Sequence, residues 1–239
     1  MPNTLEDFLL QRPPTAERPL LGQVVLVVED SRFACEALRL ICQKSGARIR
    51  RADTLKAAER HLRTYRPTIA LVDLGLPDGS GLELIQQLAR AEPRVQVILA
   101  MSGDDALAED AVAAGADAFI SKPITSVAAF QSAILALLPP ESRPPGPRVL
   151  PADEVLPDRI ALRDDLSHAA DVLGDGDDPL VLRYVGLFLG GLAKSADDDA
   201  LATAASELTA GVAGGRVPHD TVARIQALVR DRIASEGAV

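Results

Sequence analysis

The chain of 239 residues has no apolar run near the roughly 18–20 residues that a membrane span needs. Its first residues, MPNTLEDFLLQRPP, lack the basic start, apolar stretch and small-residue cleavage site of a secretory leader. A cytoplasmic protein without membrane contact is expected. Cysteine is scarce: Cys35 and Cys42 are the only two, and both fall in one predicted helix. At about 1.5 Å rise per residue their Cα atoms lie about 10 Å apart, beyond disulfide reach. They read as reduced, half-buried side chains. No Cys/His cluster has zinc-like spacing. No glycine-rich nucleotide loop, helix-turn-helix, cyclase or phosphodiesterase signature is found. Basic residues are few where nucleic acid would need them. Residues 1–150 carry 17 Lys+Arg against 18 Asp+Glu, and residues 151–239 carry 8 against 16. Nucleic-acid binding rests on neutralising phosphates, so the acidic C-terminal half excludes DNA contact as the expected output. Arg48, Arg50 and Arg51 beside a short strand read as a solvated edge.

What is there begins with 47% hydrophobic residues, enough to bury a core. From Gln23 onward, short apolar runs alternate with helical patterns. The runs are Val24–Val28, Arg48–Arg51, Ile69–Val72, Val95–Met101 and Ala118–Ile120. Helices are expected at about 31–45, 54–65, 80–91, 105–114 and 125–138. Such runs suit buried parallel strands, and their alternation with helices predicts a βαβ succession covered on both faces. Residues 139–157 hold six prolines within 139–151 and read as a stiff, extended linker. Four helical patterns without strands follow, at about 158–173, 178–194, 197–212 and 219–234. The second, DPLVLRYVGLFLGGLAK, is apolar on nearly every side, which places it inside a bundle or against a partner. The expected organisation is an N-terminal arm over 1–21, read either as loosely ordered or as carrying a small docking helix at Thr4–Leu10, then 22–139, the linker 140–157, and an α-helical region 158–239.

The chemistry lies at the strand ends. The first run ends in Glu29 and Asp30, the third in Asp73 of ALVDLGLPDGSG, the fourth in Ser102, and the fifth leads to Lys122. In open α/β sheets ligand sites lie outside the carboxyl ends of strands. Neighbouring first and third strands would bring three carboxylates together, and a hard divalent ion, Mg²⁺, offsets that charge. A carboxylate can act as nucleophile toward phosphorus, with cationic groups stabilising the phosphoryl oxygens. Asp73 is the expected phosphoacceptor, Glu29 and Asp30 the metal ligands, and Lys122 and Ser102 the phosphate-stabilising groups. A dehalogenase-like phosphatase would place a second Asp two residues after the nucleophile, where Gly75 stands.

Over about residues 22–139 the sequence resembles the receiver domain of two-component response regulators. The resemblance rests on VVEDS, on VDLGLPDGSG with Pro77 and Gly81 after Asp73, and on MSG, GAD at 115–117 and SKP at 121–123. It implies a doubly wound five-stranded parallel sheet of order 2-1-3-4-5, CheY-like. It also implies Mg²⁺-dependent phosphorylation of Asp73 by a histidine kinase or phosphotransfer protein, followed by slow hydrolysis rather than enzymatic turnover. The Gly75 carbonyl becomes a metal ligand, alongside Asp73 itself, and Ser102 with Phe119 the switch pair. Glu29 stands where Asp is commoner, the stretch from Ser102 to Lys122 is shorter than the family pattern, and Phe119 lacks a hydroxyl.

The helical C-terminal region resembles no known family. A self-associating or partner-binding output, giving a homodimer or a helical protein complex, is the expected use. Two alternatives stand beside it. One is a phosphorelay through His168, which the helical wheel puts beside Asp164 and Asp171, opposite a stripe of Ile160, Leu166, Ala170 and Leu173. The other is an unswitched receiver-like scaffold.

Overall fold

The computed structural model describes residues 13–148, 150–155, 158–174, 178–215 and 219–236; the expected docking helix at Thr4–Leu10 lies outside them. Five strands form one parallel sheet: β1 (Val24–Val28), β2 (Arg48–Ala52), β3 (Ile69–Asp73), β4 (Val97–Ser102) and β5 (Ala118–Ser121), in the order β2-β1-β3-β4-β5. Between and after them run α1 (Arg32–Ser45), α2 (Leu55–Thr64), α3 (Gly81–Arg90), α4 (Ala108–Ala114) and α5 (Val127–Leu137).

The three central strands are apolar on both faces because both faces are covered. Alternate residues serve opposite cores. Val25, Val27, Ile69, Leu71, Val97 and Leu99 pack with α1 and α5. Leu26, Val28, Ala70, Val72, Ile98 and Ala100 pack toward α2, α3 and α4. β2 is the exposed edge, and its arginines point to solvent as expected; charge on an edge strand discourages further pairing. α1 starts on Ser31, whose hydroxyl accepts from the Ala34 amide, and stops at Gly46 in the left-handed conformation (φ 85°).

Several expectations are corrected. Cys35 and Cys42 are fully buried rather than half-buried, because they sit on the α1 face against the sheet. Burial pushes both thiols up to about 12. The fourth helix is split into a 3₁₀ turn, Asp105–Leu107, and the short α4. A two-stranded ribbon, Gly75–Leu76 with Gly79–Ser80, was not foreseen. The proline-rich stretch is not a free strut. Val155 is buried in the α1–α5 core, its amide bonds the Thr125 carbonyl at 2.9 Å, and Lys44 pairs with Asp153 at 2.7 Å.

The C-terminal residues form α6 (Arg159–Gly174), α7 (Pro179–Ser195), α8 (Asp199–Ala213) and α9 (His219–Glu236) around a third core. Gly186 lets α7 and α8 cross closely: a Cβ there would lie 2.5 Å from the Thr209 hydroxyl. Ile160 is not on the buried stripe; it is 69% exposed. Asp165 takes an inward place instead, for a polar reason given below. Among the described residues no helix is long and apolar enough to cross a membrane.

Candidate functional site

The sheet brings the expected residues to one end. β1 and β3 are neighbours, in register from Val25 opposite Ile69 to Val28 opposite Val72. Glu29 and Asp30, just past β1, therefore meet Asp73, the last residue of β3. Ligand oxygens of these three acids lie within 4.8 Å of one another. Lys122, just past β5, reaches between them: its Nζ is 2.5 Å from Glu29 Oε2 and 3.0 Å from Asp73 Oδ1. Glu29 and Asp73 are 1% and 6% exposed. Gly81 makes the junction possible, since a Cβ there would overlap the Asp73 carbonyl oxygen.

Burial governs the charge. It pushes Asp73 up to about 7, with the Lys122 ammonium opposing and the Glu29 carboxylate adding to the rise. Glu29 is likewise raised to about 7 by burial, against Lys122. Asp30 is raised to about 6 by burial and by Asp73. Burial works against the Lys122 charge, but Asp73 and Glu29 outweigh it and hold the amine protonated. One ammonium therefore faces three acids.

The donor set fits a hard divalent ion. Asp30 Oδ1 is buried with no hydrogen-bond partner, an expensive arrangement unless something else binds it. Oxygen-only donors of this kind suit Mg²⁺. Gly75 borders the same cavity. Ser102 ends β4 in the cavity wall, with its hydroxyl accepting from the Asp104 amide at 3.1 Å. Met101, one residue earlier, is in the core. Phe119 lies half-buried against the α3–α4 side core.

Residues 25–134 match the family pattern described as "Response regulator receiver domain". This segment is a response regulator receiver domain. Among curated proteins, the receiver segment is 34% identical over 99 residues to the KDP operon transcriptional regulatory protein KdpE of Escherichia coli (strain K12), covering 41% of this chain and 44% of that protein. It is 33% identical over 100 residues to the virulence transcriptional regulatory protein PhoP of Salmonella typhimurium (strain LT2), covering 41% and 45%. The chain thus spans under half the length of the curated relatives it matches. Among solved structures, a putative response regulator from Chloroflexus aurantiacus J-10-fl aligns with TM-score 0.46 at 22% identity, over 48% of this chain and 96% of that one. A receiver domain (CheY-like) from Methylobacillus flagellatus aligns with TM-score 0.44 at 25% identity, over 48% and 98%.

Sequence reasoning missed what covers the receiver site. The Tyr184 hydroxyl of α7 donates to Asp30 Oδ2 at 2.5 Å, and His168 Nε2 of α6 lies 3.5 Å from that hydroxyl. His168 is exposed, as expected, with its ring edge-on to Phe188. Asp165 is 2% exposed and accepts from the Ser31 hydroxyl (2.7 Å), the Arg32 amide (2.9 Å) and the Phe33 amide (3.0 Å). The Lys194 ammonium donates to the Gly103 carbonyl. Between the receiver site and α7 remains a cavity of about 300 Å³, bordered by Asp30, Asp73, Lys122, Arg183 and Lys194. The one available signal was the all-round apolar character of α7, which asked for a covering surface without naming it.

Proposed function

We propose that the receiver domain accepts a phosphoryl group on Asp73 and that this switches a helical protein-interaction or dimerisation output. The observation that carries the reading is Lys122 spanning the buried Asp73 and Glu29, with the half-buried Asp30 completing a three-carboxylate cluster. Glu29, Asp30, Asp73 and the Gly75 carbonyl would hold Mg²⁺, which when bound supplies positive charge to phosphoryl oxygens. An Asp73 carboxylate oxygen attacks phosphorus, forming the acyl phosphate as the P–N bond to a donor imidazole breaks. The Lys122 ammonium binds one phosphoryl oxygen and the Ser102 hydroxyl donates to another. The donor is a histidine kinase or phosphotransfer protein. Water later cleaves the acyl phosphate, releasing inorganic phosphate and the Asp73 carboxylate. Movement of Ser102 toward the phosphoryl group gives Phe119 room to repack, a local two-state element biased by a local charge.

The domain division we propose is an arm over 1–21, the receiver over 22–139, a linker over 140–157 and the output over 158–239, acting in the cytoplasm. The relatives named as transcriptional regulators match only within the receiver part, and residues 151–239 carry 8 basic against 16 acidic side chains. That balance favours a protein partner over DNA. A relay through His168 has one observation in its favour, the 3.5 Å approach of its ring to Tyr184; its mark would be acid-labile label lost in His168→Ala. The main reading is tested with Mg²⁺ and a small acyl phosphate. Wild-type protein takes up base-labile label, Asp73→Asn takes up none, and Lys122→Ala is slowed by at least about a hundredfold. Equal labelling of Asp73→Asn overturns it.

A further inference from the structure

The helical region touches the receiver domain at the loops that carry the acids. An α-helix leaves its first amides without intrahelical partners. In α1 two of them, at Arg32 and Phe33, are served by the Asp165 carboxylate, contributed by α6 from more than a hundred residues away. The Phe33 side chain, itself in α1, is buried in the core of the helical region, not in that of the sheet. On the opposite side of the site, Gly103 follows Ser102 directly and lies under α7: a Cβ on it would meet Gly191 Cα at 3.1 Å. Between these anchors, Tyr184 bonds Asp30, and Leu187 lies over Gly75, 3.7 Å from where its Cβ would be.

We infer that α6 and α7 are an intrachain cap on the receiver site and that a hydrated divalent ion competes with this cap. The inference rests on the reading of Asp30 and Gly75 as metal ligands. The cap thus bears on two of the four ligand residues: Tyr184 takes Asp30 Oδ2, beside the unpartnered Oδ1, and Leu187 lies against the Gly75 backbone. Mg²⁺ demands near-octahedral geometry and keeps several of its waters. The Asp30 carboxylate is held in one orientation by the short Tyr184 bond, and the waters need the space under α7. The cap therefore weakens the ion, and the ion weakens the cap by the same factor, because coupling between two binding events is reciprocal. The same coupling extends to the phosphoryl group on Asp73, which enters the space beneath α7. Signal output is then the release of a surface that the resting receiver domain holds, including the Asp165 carboxylate and the α7 face around Gly191.

The chain has no tryptophan and two tyrosines, Tyr65 and Tyr184. In a Tyr65→Phe background the emission of Tyr184 reports its bond to Asp30. Titration of the full chain with Mg²⁺, then with beryllofluoride, raises that emission and speeds amide exchange at Arg32 and Phe33. Tyr184→Phe tightens Mg²⁺ binding, measured by calorimetry, by at least about fivefold. Gly103→Val, which forces α7 away without touching a carboxylate, shifts affinity in the same direction. Mg²⁺ binding of equal or lower affinity in both variants, with unchanged exchange at Arg32 and Phe33, overturns the cap. Absence of Mg²⁺ binding in wild type and both variants overturns the metal reading beneath it instead.

Discussion

At the scale of single residues, the site is a charge problem. Burial of Glu29 and Asp73 and partial burial of Asp30, only partly offset by the Lys122 ammonium, make each carboxylate easier to protonate in the folded chain than in the unfolded one. A raised folded pKa means that the native state binds more protons, and stability falls as pH rises from the unfolded value to the folded one. For Asp73 that interval runs from 3.8 to about 7. Metal-free wild type is therefore less stable at pH 8 than at pH 5.5. Asp73→Asn removes one charge from the cluster, flattens this dependence and adds on the order of 2 kcal/mol at pH 8. Urea denaturation with a chelator present at the two pH values checks it; an unchanged slope in the variant counts against the burial account. These residues were legible because each ends or directly follows a strand, and acids, a hydroxyl and a lysine at four corresponding ends form a pattern. Tyr184 and Asp165 were not. Their partners lie 154 positions away for Asp30 and 134 for Ser31, and no local periodicity encodes such a pairing.

At the scale of elements, caps decide where helices start. Asp198 caps α8 by accepting from the Leu201 amide at 3.1 Å and also takes the Arg232 guanidinium of α9 at 2.7 Å. Asp198→Ala loses both and costs about 1–2 kcal/mol, while Asp198→Asn keeps the cap and costs less. The Arg232 partner holds the Asp198 carboxyl below its ordinary value. Its contribution is thus present above the ordinary carboxylate range and fades as pH falls through the folded value. Thermal melts of the two variants at neutral pH give the ordering. The strands and helices of the sheet were readable within a residue or two, except the start of α4, because burial on both faces writes continuous apolar runs. The short ribbon after Asp73 was not, since its residues look like any turn. α6 misled for a physical reason: a buried Asp165 breaks the apolar stripe, and only the α1 amides that it serves make the position tolerable.

At the scale of the whole molecule, Phe33 is the mechanical link. It is 6% exposed and belongs to the third core although its helix belongs to the sheet. Phe33→Ala removes about 3–5 kcal/mol, as for other buried aromatic truncations. The loss falls on the helical region, so a single unfolding transition splits into two, with the sheet's transition little moved. Calorimetry distinguishes this from a uniform shift of one transition, which would mean that Phe33 is not where the two parts are joined.

The sequence by itself determined the alternation of strands and helices, the order of acids, hydroxyl and lysine along the sheet, and the four helices α6 to α9 that follow it. These follow from local rules, namely the period of apolar residues, the chemistry of turns and the need of strand ends for polar groups. Only the tertiary structure decided that the proline-rich stretch folds back on the sheet and that α7 lies over the acids. It also decided that a tyrosine from one part meets an aspartate from the other. Those outcomes depend on surfaces assembled from distant residues, whose complementarity exists only once both parts are folded.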